Sequence, residues 1–106
     1  MTLREICVAA GVTRRAVQGY EKAGLVAPTG KTSRGYLLYD MDSQERIKLI
    51  RLYQQLGFSI KDIKEIIDAP KEVKKKALEE RVERLKMEGN NIENLIKKAY
   101  ELIALL

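Results

Sequence analysis

Apolar residues recur at helical spacing near the start of the chain. The face they form in a short predicted helix consists of Leu3, Ile6, Cys7 and Ala10. Thr2 and Glu5 have the spacing of a capping box at the start of that helix, and Gly11 ends it. Thr13 is placed to cap a second helix that runs to Tyr20. A helix, a glycine turn and a helix in this order predict a helix-turn-helix unit.

The following segment predicts a small hairpin, or wing. Residues 29–35 form a polar loop that contains two glycines and the cations Lys31 and Arg34. Short extended segments on both sides of such a loop predict two antiparallel strands. Of the two tyrosines after the loop, Tyr36 and Tyr39, we expect one to lie in the core.

Two more helices complete the predicted head. Asp40 or Asp42 caps a third helix, which Gly57 ends, and Ser59 with Asp62 opens a fourth that ends before Pro70. The residues expected to be buried on these helices are Ile47, Ile50, Tyr53, Leu56, Ile60, Ile63, Ile66 and Ile67.

The last third of the chain has an apolar repeat with steps of four and three residues. No proline occurs from Lys71 to Leu106, and Gly89 keeps the register. This repeat predicts one continuous helix with a coiled-coil seam, whereas a break at residues 89–91 into two helices is the alternative. Gly89 lies in this seam without contributing a side chain. The seam residues predicted to hold a dimer together are Leu78, Val82, Leu85, Ile92, Ile96, Ala99, Ile103 and Leu106.

Charge is distributed unevenly along the chain. The 20 Lys and Arg residues outnumber the 15 Asp and Glu residues, which gives a formal net charge of +5. Residues 1–40 carry six basic and three acidic groups and so contribute most of the excess. The pattern favours contact between the N-terminal part and a polyanion, although ordinary solvated surface charge explains an excess of this size equally well.

The inventory of reactive groups excludes several classes of site. The chain has no His and one Cys, so it cannot assemble a cysteine and histidine zinc site, a Cys/His nucleophile or an internal disulfide. We therefore expect no metal, no cofactor and no catalytic residues, and we do not expect an enzyme. No apolar run reaches the ~20 residues of a membrane span, and the lone thiol fits a reducing compartment. We expect a cytoplasmic protein without membrane contact.

Four segments in order resemble the MerR family of bacterial transcriptional regulators. They are residues 10–17 (AGVTRRAV), 20–26 (YEKAGLV), 35–39 (GYLLY) and 56–67 (LGFSIKDIKEII). The resemblance implies a mainly α fold: a winged helix-turn-helix DNA-binding head over residues 1–69, followed by a coiled-coil dimerisation helix over residues 70–106. It also implies a homodimer joined by an antiparallel coiled coil. Such a dimer binds pseudo-palindromic promoter DNA, distorts it and acts with RNA polymerase.

Eight residues are the candidates for contact with double-stranded DNA. They lie at the start of the second helix, at its end and in the wing: Thr13, Arg14, Arg15, Gln18, Tyr20, Lys31, Arg34 and Tyr36. Cations in the first turn of a helix oppose the helix dipole, so the placement of Arg14 and Arg15 there favours a role in contacting DNA. Gln18 can pair with adenine. The chain departs from the usual family pattern at Gln18, Gly19 and Leu37, where a different base preference is expected.

Two other functions remain open at this point. One is an architectural or excisionase-like DNA-bending protein, and the other is a coiled-coil adaptor whose head does not bind DNA. The apolar end at residues 102–106 favours a fragment of a longer regulator over a short complete one. The operator, the effector ligand and the sign of regulation do not follow from the residues.

Overall fold

Five helices and one two-stranded sheet make up the structure, a computed structural model that describes all 106 residues. By residue contacts the chain divides into two units, Met1–Ala69 and Pro70–Leu106. The first unit holds four helices and the sheet, and the second is one long helix. The elements are α1 (Leu3–Ala10), α2 (Arg14–Lys22), β1 (Gly30–Lys31), β2 (Leu37–Leu38), α3 (Met41–Gln55), α4 (Ile60–Ile66) and α5 (Lys71–Leu105).

The starts of the first four helices are capped by side chains, as their sequences predict. Thr2 and Glu5 form the complete capping box, and the hydroxyl of Thr13 accepts from the backbone N–H of Ala16 at 3.0 Å. Asp40, rather than Asp42, caps α3. Ser59 does the same for α4.

Three helices end in the same way. A glycine with positive φ follows the helix, at Gly11 (66°), Gly24 (77°) and Gly57 (101°), a region in which other residues are strained. The residue after each glycine donates its N–H to the carbonyl five residues earlier, which satisfies a free carbonyl of the helix end. The pairs are Val12 with Cys7, Leu25 with Tyr20 and Phe58 with Tyr53, at 3.0, 2.9 and 3.0 Å.

The core of the first unit is mostly aliphatic and lies between its helices. α1 contacts α2 and α3, and α3 contacts α4. Completely buried side chains come from all four helices: Ile6, Val17, Ile47, Ile50 and Ile63. Each such side chain contributes roughly 1.5–3 kcal/mol to folding. Of the residues predicted to be buried on α3 and α4, only Leu56 and Ile60 are partly exposed.

The wing is a short antiparallel hairpin that the chain start extends. Gly30 pairs with Leu38, and Lys31 pairs with Leu37. Thr2 forms a bridge with Leu38 on the other side of β2, and the Met1 carbonyl accepts from the Tyr39 N–H at 2.7 Å. These bonds fix the wing to the start of α1.

The second unit is a single uninterrupted helix. α5 runs through Gly89 without a break, which confirms the prediction of a continuous helix over the alternative of two. Its 35 residues correspond to about 52 Å at ~1.5 Å per residue. No helix of the structure is both long enough and apolar enough to cross a membrane.

Candidate nucleic-acid interface

The second helix of the helix-turn-helix unit has one buried face and one basic face. Val17 and Tyr20 point into the core at 0% and 2% exposure. The side chains on the opposite face are exposed; they are Arg14, Arg15, Gln18 and Lys22. A nine-residue helix with this division presents its polar face as a single surface.

The cations of this face have no partner within the protein. Arg14, Arg15 and Lys22 take part in no ion pair, since the five ion pairs of the structure all lie elsewhere. No acidic residue occurs in the first turn of α2, so nothing there offsets two cations at the positive end of the helix dipole. An anion bound from outside would supply the missing compensation. Thr13 is exposed; its hydroxyl oxygen accepts the helix-cap bond, and its hydroxyl proton is free to donate.

The wing carries two further free cations at its tip. Lys31 and Arg34 are exposed and form no ion pair. The turn between the strands is held by Thr32, whose carbonyl accepts from Gly35 N–H and whose hydroxyl accepts from Tyr36 N–H, at 2.9 and 3.1 Å. The loop therefore has a defined shape that holds its cations in solvent.

Of the two wing tyrosines, one is exposed and one is buried, as expected. Tyr36 is 62% exposed, and Tyr39 is 1% exposed. The hydroxyl of Tyr39 donates to the carboxylate of Glu21 on α2. Burial, with help from this bond, raises the pKa of Tyr39 far above its usual value. The wing base and α2 are thus joined by a partly buried polar contact that the sequence does not predict.

The structure corrects the expectation for Tyr20. This residue is proposed above as a DNA contact, but it lies in the core, and its hydroxyl donates to Oε1 of Gln54 on α3 at 2.5 Å. Burial raises its pKa, so the phenol stays neutral. Tyr20 follows Val17 by three residues and shares its inward face, which is the physical reason for its burial.

An open groove brings two of the predicted residues together. Arg14 and Tyr36 both line it, between the first turn of α2 and the wing, and Arg4 of α1 lines it as well. Sequence reasoning missed Arg4 because the start of α1 joins the wing only through the tertiary contacts of Met1 and Thr2.

On α5, the seam residues are unpartnered in the single chain. No residue of this helix is buried. Leu85 is 37% exposed and Ile103 is 62% exposed, and Leu78 is partly covered. Beside the predicted seam, Leu95 and Leu102 add a second exposed apolar row in the C-terminal half of the helix. Their spacing of seven residues is visible in the sequence, although the repeat with steps of four and three predicts the seam alone.

The structure brings no group of three or more His, Cys, Asp or Glu residues close enough to hold a metal ion. Cys7, expected in the core, is partly buried on α1 and has a free thiol.

Two family models together match the whole chain. Residues 1–70 match the model described as MerR HTH family regulatory protein, and residues 44–106 match the model described as MerR, DNA binding. Among curated proteins, the nodulation protein NolA of Bradyrhizobium diazoefficiens is 39% identical over 64 residues, which is 60% of this chain and 27% of NolA. The chain spans between about a quarter and a half of the length of the curated relatives it matches.

Solved structures show the same fold. The N-terminal part of the Bacillus subtilis multidrug transporter activator, MtaN, is 26% identical and superposes with a TM-score of 0.75, covering 97% of both chains. HiNmlR, a MerR family regulator that lacks the sensor domain and was crystallised with promoter DNA, has a TM-score of 0.74 at 19% identity. That alignment covers 92% of this chain and 78% of HiNmlR. Because two family models each match more than half of its residues, the chain belongs to the MerR family of helix-turn-helix regulatory proteins.

Proposed function

We propose that this chain is a transcriptional regulator that binds double-stranded DNA as a homodimer at a pseudo-palindromic promoter site. The observation that carries the proposal is the exposed basic face of α2, whose cations have no partner in the protein. The family supports it, and so does the similarity in fold to HiNmlR, a regulator bound to promoter DNA.

In the proposed complex, α2 lies in the major groove. Arg15 and Gln18 point to base edges, because arginine pairs bidentately with guanine and glutamine with adenine. Arg14 and the hydroxyl of Thr13 lie nearer the phosphates at the groove edge. Lys31 and Arg34 of the wing contact the neighbouring backbone, where their charge contributes affinity without sequence preference.

The homodimer is proposed to form through α5. A helix of about 52 Å with an exposed apolar seam requires another helix to cover that seam, and a second copy carries the same pattern. We place the two helices antiparallel, as the family resemblance implies. A two-fold dimer of this kind presents two recognition helices, which matches a site with two-fold symmetry.

Promoter distortion and cooperation with RNA polymerase are further parts of the proposal. Bending or untwisting a short site costs a few kcal/mol, which additional backbone contacts can offset. The exposed cations of α2 and those of the wing tip provide such contacts at two places per subunit.

The first test is binding of the purified chain to the duplex upstream of its own coding sequence, compared with a scrambled duplex of equal length, from low to physiological salt. We expect preferential binding that weakens steeply with salt. Arg15→Ala should weaken it by about 1–3 kcal/mol. Lys48→Ala, on the exposed side of α3, removes the same charge and serves as the matched control.

Two results would replace the proposal. A footprint that lies at recombination sites rather than over promoter elements would support an architectural DNA-bending protein. Failure of the folded dimer to bind either duplex at low salt would leave the coiled-coil adaptor.

A further inference from the structure

A groove on the first unit joins three elements that are separate in sequence. Arg4 of α1, Arg14 of α2 and Tyr36 of the wing all line it. Its volume is about 480 Å³, and it is open to solvent on one side. Leu3 and Leu37 form the apolar part of its wall.

The charges of the groove are unbalanced. Arg4 and Arg14 form no ion pair, and no acidic residue lines the groove. The nearest carboxylate in sequence, Glu5, accepts from the backbone N–H and the hydroxyl of Thr2 at 3.1 and 3.0 Å, so it is held in the capping box. Two guanidinium groups that share one groove repel each other unless an anion lies between them.

The shape and the wall favour a nucleic-acid backbone over a free anion. A single phosphate needs only the two arginines, whereas the groove also offers an exposed tyrosine ring and two leucine side chains. A deoxyribose next to the phosphate fits such an apolar wall. The open side allows the strand to enter and leave.

We propose that this groove binds one backbone phosphate of DNA and that Arg4 contacts that phosphate together with Arg14. The proposal rests on the proposed DNA-binding function and adds α1 to the DNA-contacting elements. Arg4 acts as a positioning contact. It contributes affinity on any sequence, and it fixes the angle at which α2 enters the major groove of the DNA.

The test is the salt dependence of binding to a random-sequence duplex of about 30 base pairs, for which no operator needs to be known. Each neutralised phosphate contributes about 0.9 to the slope of log affinity against log salt. Because either arginine alone can still neutralise the shared phosphate, Arg4→Ala and Arg14→Ala should each lower the slope by less than that amount. The double variant should lower it by about 0.9 in all.

Lys48→Ala is the control for the loss of one charge, and its slope should remain close to that of the unsubstituted chain. Thermal melts show whether each variant is folded. A slope for the double variant equal to that of Arg14→Ala alone would overturn the groove site while DNA binding itself stands. A loss of about 1.8 in the double variant, the value for two separate phosphates, would also overturn it. Absence of binding by the unsubstituted chain would overturn the proposed function as a whole.

Discussion

The phenol hydroxyl of Tyr39, at the base of the wing, donates to the carboxylate of Glu21 on α2. Tyr39 is buried, and its carbonyl also accepts from the side chain of Gln44 at 2.8 Å. One residue therefore connects the wing, α2 and α3. These contacts hold the base of the wing against α2 and α3 within the protein.

Removing that hydroxyl should lower stability without creating a large cavity. Tyr39→Phe loses a hydrogen bond to a charged acceptor, so we expect a loss of roughly 1–2 kcal/mol in the free energy of unfolding, measured in urea. Tyr36→Phe is the matched control, because its hydroxyl forms no hydrogen bond within the protein. Equal stability of the two variants would show that the bond to Glu21 contributes nothing.

Arg46 joins three segments of the first unit. Its Nη1 and Nη2 donate to the two carboxylate oxygens of Asp68, both at 2.8 Å, and its Nε donates to the Leu25 carbonyl. The bonds to Asp68 raise the pKa of Arg46. The ion pair is partly solvated, so alone it contributes at most about 1 kcal/mol.

Arg46→Ala should therefore cost more than Asp68→Ala. The arginine variant loses the ion pair, the bond to the Leu25 carbonyl and the packing of its stem, in all about 1–2 kcal/mol. The aspartate variant should lose up to about 1 kcal/mol. Urea unfolding of both, at one pH and salt concentration, measures the difference. If the two losses are the same, the contact with residue 25 has no energetic role.

The capping box at the start of α1 gives a pH dependence with a definite sign. Hydrogen bonds from the backbone and the hydroxyl of Thr2 lower the pKa of Glu5. Because the folded-state pKa lies below the unfolded one, the contribution to stability is complete above the usual value of about 4.3. It is lost as the pH falls through the folded-state pKa.

The corresponding measurement compares the unsubstituted chain with Glu5→Ala between pH 6 and pH 3. The two should differ in stability above pH ~4.5 and converge at lower pH, because the protonated glutamate no longer accepts these bonds well. A difference that stays constant over the whole range would contradict this account.

The structure does not require a glycine at position 19, in the interior of α2. It has no positive φ, and a Cβ added there would meet no atom within 4 Å. Glycine in a helix interior costs about 0.5–1 kcal/mol relative to alanine. We expect Gly19→Ala to raise the free energy of unfolding by about this amount, as measured by urea or thermal unfolding, and a decrease would show strain that the structure does not contain.

The local features of the fold follow from the sequence, and the long-range ones do not. Caps at Thr2, Thr13 and Ser59 are predictable because each side chain bonds to a backbone group three residues away. The turn at Gly24 has the same hydrogen bond to the helix end as the turns at Gly11 and Gly57. It lies before an irregular loop, and the sequence pattern does not predict it.

The candidate site shows the same limit. Arg14 and Arg15 are exposed as expected, because one helix determines both. The family resemblance implies that Tyr20 contacts DNA, although its spacing of three residues from Val17 indicates the buried face. Arg4 shares a groove with Arg14 only because the chain start pairs with β2, a contact between residues far apart in sequence.

The arrangement of the proposed dimer can be tested with single cysteines. If two copies of α5 pair antiparallel over the whole seam, the midpoint between Leu78 and Leu106 is Ile92, and the two-fold axis passes there. Only a residue near that axis lies opposite its own copy. In a parallel coiled coil, by contrast, every seam residue faces its own copy.

In a Cys7→Ser background, Ile92→Cys should therefore form a disulfide-linked dimer on mild oxidation, seen as a band of twice the mass on a non-reducing gel. Leu78→Cys should not, because a disulfide requires Cα atoms about 4.4–6.8 Å apart. Mixing Leu85→Cys with Ala99→Cys should give the mixed dimer in preference to either homodimer, since these positions lie opposite each other in the proposed register. Efficient self-linking at both residue 78 and residue 92 would establish a parallel pair instead and would overturn the antiparallel arrangement proposed for the homodimer.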